Sequence, residues 1–353
     1  MKTFTRLILL FTFILSYQNI FASNLDEDDE LIFYPTFLYL DSSKNEYKVK
    51  IHTHVFEKKE DSIKRKILIK YLSTEIGENP DSNSEIFKER TKWFLIDNKR
   101  GKEISIELFG KIFPLNETGP NGRSITEISI DKSLLSQENL ESGFVDFKSI
   151  TTKKNKNIYN GKFFLIKEDT TCLISDIDDT LKISDVRNKK ALIKNSFMKP
   201  FQLVSGMNDF YNQIQSSGNS CFVNVSASPW QMYSVLNQFF TESGFPRTGY
   251  SMKDFRFKDS DFFNLFEKPE IYKFSTIEPM IQEWKKVKFI LVGDSGEKDP
   301  EAYAKLASKY PNQVSRIYIR IAYDEDLTSR ITNVFENIPK HKFQFFRTVS
   351  EIK

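Results

Sequence analysis

The sequence predicts two folded parts of different class: a β-rich, sandwich-like part, then an α/β part built on a parallel sheet. Three observations carry that division. Apolar residues in the first half recur at period two. After Thr170, short apolar runs ending in acids or serines are followed by helical patterns. A chain of 353 residues with 39% hydrophobic content is long enough for two cores.

The β-rich part is read over residues 24–167. Leu31–Tyr34 and Phe37–Leu40 are short runs divided by Pro35, and Tyr47–Phe56 alternates along its whole length. Trp93–Ile96, Ile104–Leu108 and Ile125–Ile130 are read as further strands. Asp97–Gly101 and Thr118–Gly122 supply turn residues between them. Several short strands at such spacing predict a sandwich-like module. The polar stretch Glu60–Arg90 is left as a helix or a loop. His52 and His54 share one strand face; with no third histidine nearby, a structural pair is the favoured reading and half a metal site the alternative.

Residues 1–22 read as a secretory signal peptide. Lys2 and Arg6 precede the apolar run Leu7–Leu15, and Ala22 offers a small residue for cleavage. That run is shorter than the roughly 20 residues a membrane-spanning helix needs. The expectation is an exported protein, periplasmic or extracellular, with the uncleaved anchor as the alternative. Net charge is +3, and removal of Lys2 and Arg6 lowers it to +1, which excludes the basic excess of a nucleic-acid binder. Export would permit a Cys172–Cys221 bridge. Bonding between parallel strands is geometrically demanding, however, so two buried thiols are favoured.

In residues 168–353, the runs Cys172–Asp176, Cys221–Ser226 and Phe289–Asp294 read as strands, with a fourth at Val314–Ile321. Right-handed crossovers bring the C-terminal ends of parallel strands to one edge, where ligands of such sheets bind. Asp176, Ser226 and Asp294 should therefore converge. Asp178 and Asp299 add carboxylates beside them. Two carboxylates 4 Å apart repel by about 4 kcal/mol at an effective dielectric near 20, so protons or a divalent cation must neutralise such a cluster. Oxygen donors without His or Cys point to Mg²⁺. Ser228-Pro229-Trp230 reads as a helix start suited to a phosphate, with Ser228 as its cap; Asp299-Pro300 opens another helix in the same style. No Gly-x4-Gly-Lys-Ser/Thr or Gly-x-Gly-x-x-Gly segment occurs, which leaves a carboxylate nucleophile as the route to phosphoryl transfer.

At these residues the chain resembles the haloacid-dehalogenase superfamily, and within it the actin-patch-associated phosphatidate phosphatase family. Ser175–Lys182 looks like the first family block and Val225–Trp230 the second. Lys273 stands where the motif lysine belongs, and Gly293–Pro300 looks like the fourth block. Ser205–Met207 and Phe255–Asp259 also fit. The resemblance covers about residues 170–320. It implies a haloacid-dehalogenase-like (Rossmann-like) sheet and a Mg²⁺-dependent phosphomonoesterase working through an aspartyl-phosphate. Asp176 would be the nucleophile, and Asp178 the acid that protonates the leaving alcohol and then the base for water. Mg²⁺ would be held by Asp176, the Asp178 carbonyl and Asp294, with Asp299 in or behind that shell. Thr180, Ser226, Ser228 and Lys273 would serve the phosphoryl group and its loop, although Lys258 and Lys268 lie near Lys273 in sequence. Phosphatidate or a related phospholipid is the implied substrate, with peripheral membrane contact as an option. Phe262, Phe263, Leu265 and Phe266 would face acyl chains, or on the favoured reading fill a core. The rivals are an exported phosphatase of soluble phosphomonoesters and a non-catalytic binding protein on the same fold.

Overall fold

The structure, a computed structural model, describes residues 23–152, 154–255, 272–323 and 333–352. The expected signal peptide (1–22), and Lys258, Phe262, Phe263, Leu265, Phe266 and Lys268, lie outside the described residues. The chain forms two compact units. One combines the described residues up to Lys59 with Ile96–Leu165; the other combines Glu60–Leu95 with the described residues from Ile166 onward.

Among the described residues, the first unit carries nine strands: β1 (Glu30–Phe33), β2 (Thr36–Asp41), β3 (Glu46–Glu57), β4 (Asp97–Asn98), β5 (Ser105–Leu108), β6 (Lys111–Pro114), β7 (Arg123–Asp131), β8 (Phe144–Ser149) and β9 (Asn160–Ile166). They join in one hydrogen-bonded sheet, ordered β1-β3-β2-β9-β8-β5-β6, with β4 and β7 also paired to β3. The long strand β3 organises it. Along β3, Tyr47, Val49, Ile51, Thr53 and Val55 are buried on one face, as period two requires. Its register with β7 runs from Glu46↔Asp131 to His54↔Arg123. Leu38, Val49, Ile51, Val55, Ile106 and Phe163 belong to the resulting core. The β-rich unit is thus present, with its strands linked in one network rather than two separate sheets.

The histidines are built into this unit. His54 is 3% exposed. Its Nε2 lies 2.8 Å from Asn98 Oδ1 and its Nδ1 3.2 Å from the Tyr34 hydroxyl. Burial, reinforced by the positive charge of Arg123, holds both His52 and His54 down to about 3, so each ring is neutral near pH 7.

One strand assignment is overturned. Trp93, Phe94 and Leu95 close a helix, Glu85–Leu95, and a second helix, Ser62–Ile76, precedes it. Phe87, Arg90, Thr91, Phe94 and Leu95 are the buried residues, at spacings of three, four and seven that mark a helix face. A four-residue window at its end read as a strand because it contained only the apolar last turn. Asp61 caps the first helix, accepting the N–H groups of Ile63 and Lys64, and Gly77 ends it at φ 73°. These helices sit in sequence among the β-strands yet belong to the second unit, so a continuous 24–167 domain is not what the chain forms.

The second unit holds β10 (Thr171–Ser175), β11 (Ser220–Pro229), β12 (Gly249–Lys253), β13 (Lys288–Asp294), β14 (Val314–Arg320) and β15 (Phe343–Phe346). All are parallel, in the order β12-β11-β10-β13-β14-β15. The edge strands β12 and β15 were not anticipated from the sequence. β10 lies in the interior, between β11 and β13, where an apolar run without alternation belongs. Cys172 and Cys221 face each other in register, with Cα atoms 4.5 Å apart, and are disulfide-bonded. This corrects the expectation of free thiols: equal positions on adjacent strands bring the Cα atoms within disulfide range. Among the described residues, no helix is long and apolar enough to cross a membrane.

Candidate active site

The chain leaves β10 at Asp176, whose N–H donates to Val292 O of β13 at 3.0 Å. Thr180 Oγ1 donates to Asp176 Oδ2 at 3.2 Å, while Asp176 Oδ1 lies 2.9 Å from Lys273 Nζ. Asp176 is 1% exposed, so its orientation is set on both oxygens inside the protein. Leu181 and Lys182 both return their N–H groups to Ile177 O. Asp179 makes the turn in the left-handed region, at φ 57°, which side chains other than glycine enter at some cost. Its carboxylate accepts the N–H groups of Ser184, Asp185 and Val186 and the Tyr323 hydroxyl, at 2.6–2.9 Å, which fixes the turn.

Asp178 has separate partners. Oδ1 meets Lys182 Nζ at 2.9 Å and accepts from Ser184 Oγ at 2.6 Å. Oδ2 accepts from Ser228 Oγ at 2.9 Å and from Ser226 Oγ at 3.4 Å, and Ser226 Oγ itself accepts the Ser228 N–H. Ser228 is therefore not a helix cap. β11 runs through it to Pro229, and the next turn, Trp230–Met232, has no side-chain cap. The expected helix, Tyr233–Glu242, begins only after that turn.

β13 ends at Asp294, and Asp299 packs back against Gly293. A Cβ at residue 293 would lie 2.2 Å from Asp299 Oδ2 and 2.6 Å from its Cβ, so glycine is what allows the approach. Asp299 Oδ2 accepts the Asp294 N–H at 3.1 Å, and its Oδ1 bonds Lys273. Its helix, Asp299–Lys309, takes Lys298 as N-cap, so capping is not the role of Asp299. Lys273, the second residue of the helix Tyr272–Glu283, thus faces Asp176, Asp299 and Glu297, the last at 3.2 Å. Burial alone would lower its pKa. The negative field of Asp176, Asp299 and Asp294 outweighs burial and holds it above the ordinary lysine value, so the ammonium stays charged.

Asp176, Asp294 and Glu297 each bring a carboxylate oxygen into one cluster, all within 4.8 Å of one another. Three hard oxygen donors beside one ammonium retain net negative charge and fit a divalent cation that prefers oxygen.

The residues proposed from sequence divide as follows. Asp176, Thr180, Lys273, Asp294 and Asp299 form one connected group, and Asp178, Ser226 and Ser228 form the adjoining one. The carboxylate of Asp299 is held by Lys273 and the Asp294 N–H, behind the acidic cluster, and the third acid there is Glu297. Sequence reading missed Glu297, although it lies inside Gly293–Pro300. It also passed over Lys182, Ser184 and Asp179. The usable signal was the concentration of polar residues in Asp176–Asp185 immediately after an interior strand.

Fold and side chains together define a parallel-sheet α/β domain with a buried carboxylate–lysine centre at the C-terminal edge of its middle strands. Residues 171–321 match the family described as "Phosphatidate phosphatase APP1, catalytic domain". Phosphatidate phosphatase APP1 of Saccharomyces cerevisiae is 32% identical over 176 residues, covering 46% of this chain and 30% of that protein. An uncharacterised protein of Schizosaccharomyces pombe is 30% identical over 151 residues, covering 42% of this chain and 24% of its own. The chain thus spans less than a third of the length of these curated relatives. A beta-glucuronidase of Parabacteroides merdae aligns with 83% of this chain and 34% of its own, at 10% identity and a TM-score of 0.26, too low to bear on the fold.

Proposed function

We propose that the chain is a Mg²⁺-dependent phosphomonoesterase acting on phosphatidate or a closely related phospholipid. Its haloacid-dehalogenase-like sheet carries an aspartyl-phosphate reaction, and a β-rich unit forms the other compact part of the chain. The observation that carries the reading is Asp176. It is a buried carboxylate at the end of an interior parallel strand, with one oxygen on Thr180, the other on Lys273, and a second carboxylate, Asp178, two residues on.

An oxygen of Asp176 attacks phosphorus, and the bond from phosphorus to the ester oxygen breaks. The leaving alcohol takes its proton from Asp178. Asp178 then removes a proton from water, which attacks phosphorus and breaks the bond to Asp176. Phosphate leaves, and both carboxylates return to their starting state. Lys273 would oppose the charge that gathers on the transferring group, and the Ser226 hydroxyl would bind it. Asp176, Asp294 and Glu297, with the Asp178 carbonyl, would hold Mg²⁺, which when bound supplies positive charge to the phosphoryl oxygens. Lipid as substrate is supported by the name of the yeast relative. Export to a periplasmic or extracellular compartment is supported by the N-terminal apolar run and by the bonded cysteine pair, since such bonds persist in oxidising compartments.

The test is phosphate release from phosphatidate in mixed micelles, with Mg²⁺ or EDTA, for the wild type and Asp176→Asn. Release that needs Mg²⁺ and disappears in the variant is the expected result. Activity on a soluble phosphoester alone would remove the lipid from this reading, and silence on both would overturn it.

A further inference from the structure

Lys182 is 2% exposed, among the largest side chains so thoroughly buried, and no step above uses it. We propose that Lys182 is a positioning residue for proton transfer at Asp178, braced through Phe201 by Arg90 from the helix Glu85–Leu95. This rests on the acid role given to Asp178 above.

Lys182 and Ser184 both engage Oδ1 of Asp178, and they also bond each other. With Oδ1 held by two donors, Oδ2 is the oxygen turned toward Ser226 and Ser228 at the end of β11. Rotation of the carboxylate about its own axis would exchange the two oxygens, and the Lys182–Ser184 pair opposes that rotation. Proton transfer requires the donor oxygen within hydrogen-bond reach of the leaving group, so this orientation bears directly on rate.

Two supports hold the pair in place. Lys182 bridges Leu203 in antiparallel fashion, and on either side Ile183 N–H donates to Gln202 O and Val204 N–H to Leu181 O. That pairing sets the Phe201 ring 5.1 Å from Lys182 Nζ. The Arg90 guanidinium lies 3.2 Å from the centroid of the same ring and donates to Ser196 O at 2.8 Å. The helix Lys189–Phe197 supplies the second support, since its Asn195 donates to Ser184 O at 3.0 Å. Arg90 lies outside the family-matched segment 171–321. The helix Glu85–Leu95 therefore contributes to orienting the acid.

The experiment uses the full chain with Mg²⁺ and measures leaving-group release in a first turnover with enzyme in excess. Two substrates are compared: an alkyl phosphomonoester, whose alkoxide needs a proton, and p-nitrophenyl phosphate, whose phenolate leaves without one. Because general acid catalysis is worth about 10²–10⁴-fold, Lys182→Met should slow the alkyl ester at least about tenfold and the aryl ester less than about threefold. Arg90→Leu should show the same selectivity at about three- to tenfold. A side chain that merely stabilises the fold would slow both substrates alike, and that result, or no change in either, overturns the proposal. If Lys182→Met does not fold, Arg90→Leu and Phe201→Leu carry the same comparison. Asp178→Asn separates the two readings. If it too shows no selectivity, the acid assignment fails; if it does and the Lys182, Arg90 and Phe201 variants do not, only the clamp fails.

Discussion

Replacing Gly293 with alanine tests how the site is assembled. The new Cβ would sit 2.2, 2.6 and 2.7 Å from Oδ2, Cβ and Cγ of Asp299, all closer than real Cβ contacts allow. Residue 293 is fixed in the interior strand β13, which pairs β10 on one side and β14 on the other, so Asp299 is what must move. Its movement breaks the hydrogen bond from Asp294 N–H and the contact with Lys273. Overpacking costs about 1–3 kcal/mol, and loss of a hydrogen bond to a charged group about 1.5–3 kcal/mol. Together these destabilise by about 3–5 kcal/mol and lower the Tm of this unit by about 10 °C. The assay is urea unfolding of the wild type, Gly293→Ala, Asp299→Gly and the double variant. Asp299→Gly removes all three clashing atoms, so Gly293→Ala should cost almost nothing in that background. Asp299→Ala leaves the 2.6 Å Cβ contact and should relieve the clash only in part. Costs that simply add in the double variant would refute the reasoning, because the two residues would then not be in conflict.

Two further outcomes follow from the same structure. His54 has a folded pKa of about 3, against 6.5 when exposed, so the unfolded state binds the additional proton between those values. Its contribution to stability is complete above pH 6.5 and is lost as pH falls toward 3, amounting to about 2 kcal/mol at pH 5. Urea midpoints of the β-rich unit should drop accordingly, with His52 adding to the slope, and His54→Gln should flatten it; an unchanged slope would count against a neutral buried ring. The Cys172–Cys221 bond spans a sequence separation of 49, and the chain-entropy relation gives about 4 kcal/mol for a loop of that length. Cys172→Ser/Cys221→Ser should lower the urea midpoint of the α/β unit by a corresponding amount. Dithiothreitol should lower the wild type but not the variant, and equal sensitivity of both would show that the bond is not the origin.

How much was legible before the structure differs by level. The alternation along Tyr47–Phe56 announced β3, since a strand with one buried face must place apolar side chains at every second residue. The three runs ending at Asp176, Ser226 and Asp294 announced a parallel sheet, and with it a common edge where those side chains meet. Trp93–Leu95 misled because four apolar residues fit a helix turn as readily as a strand; only the buried positions back to Phe87 resolve the period. Residues 60–95 illustrate a stronger limit. They follow β3 in sequence, yet Phe94 packs against Phe197 and Phe255, and Arg90 reaches Ser196, so packing assigns them to the other unit.

The sequence by itself determined the long alternating strand β3, the parallel α/β character of the second half and the strand ends that supply the acids, because those depend on local periodicity and on chain connectivity. Tertiary structure decided the pairings. It placed Asp299 behind the acidic cluster and Glu297 within it, bonded Cys172 to Cys221, turned Ser228 toward Asp178 rather than toward a helix end, and buried Lys182 against the acid. Each of these depends on which oxygen or sulfur comes within about 3 Å of which partner across strands far apart in sequence. Local pattern carries no information about that distance until the sheet order and register are known.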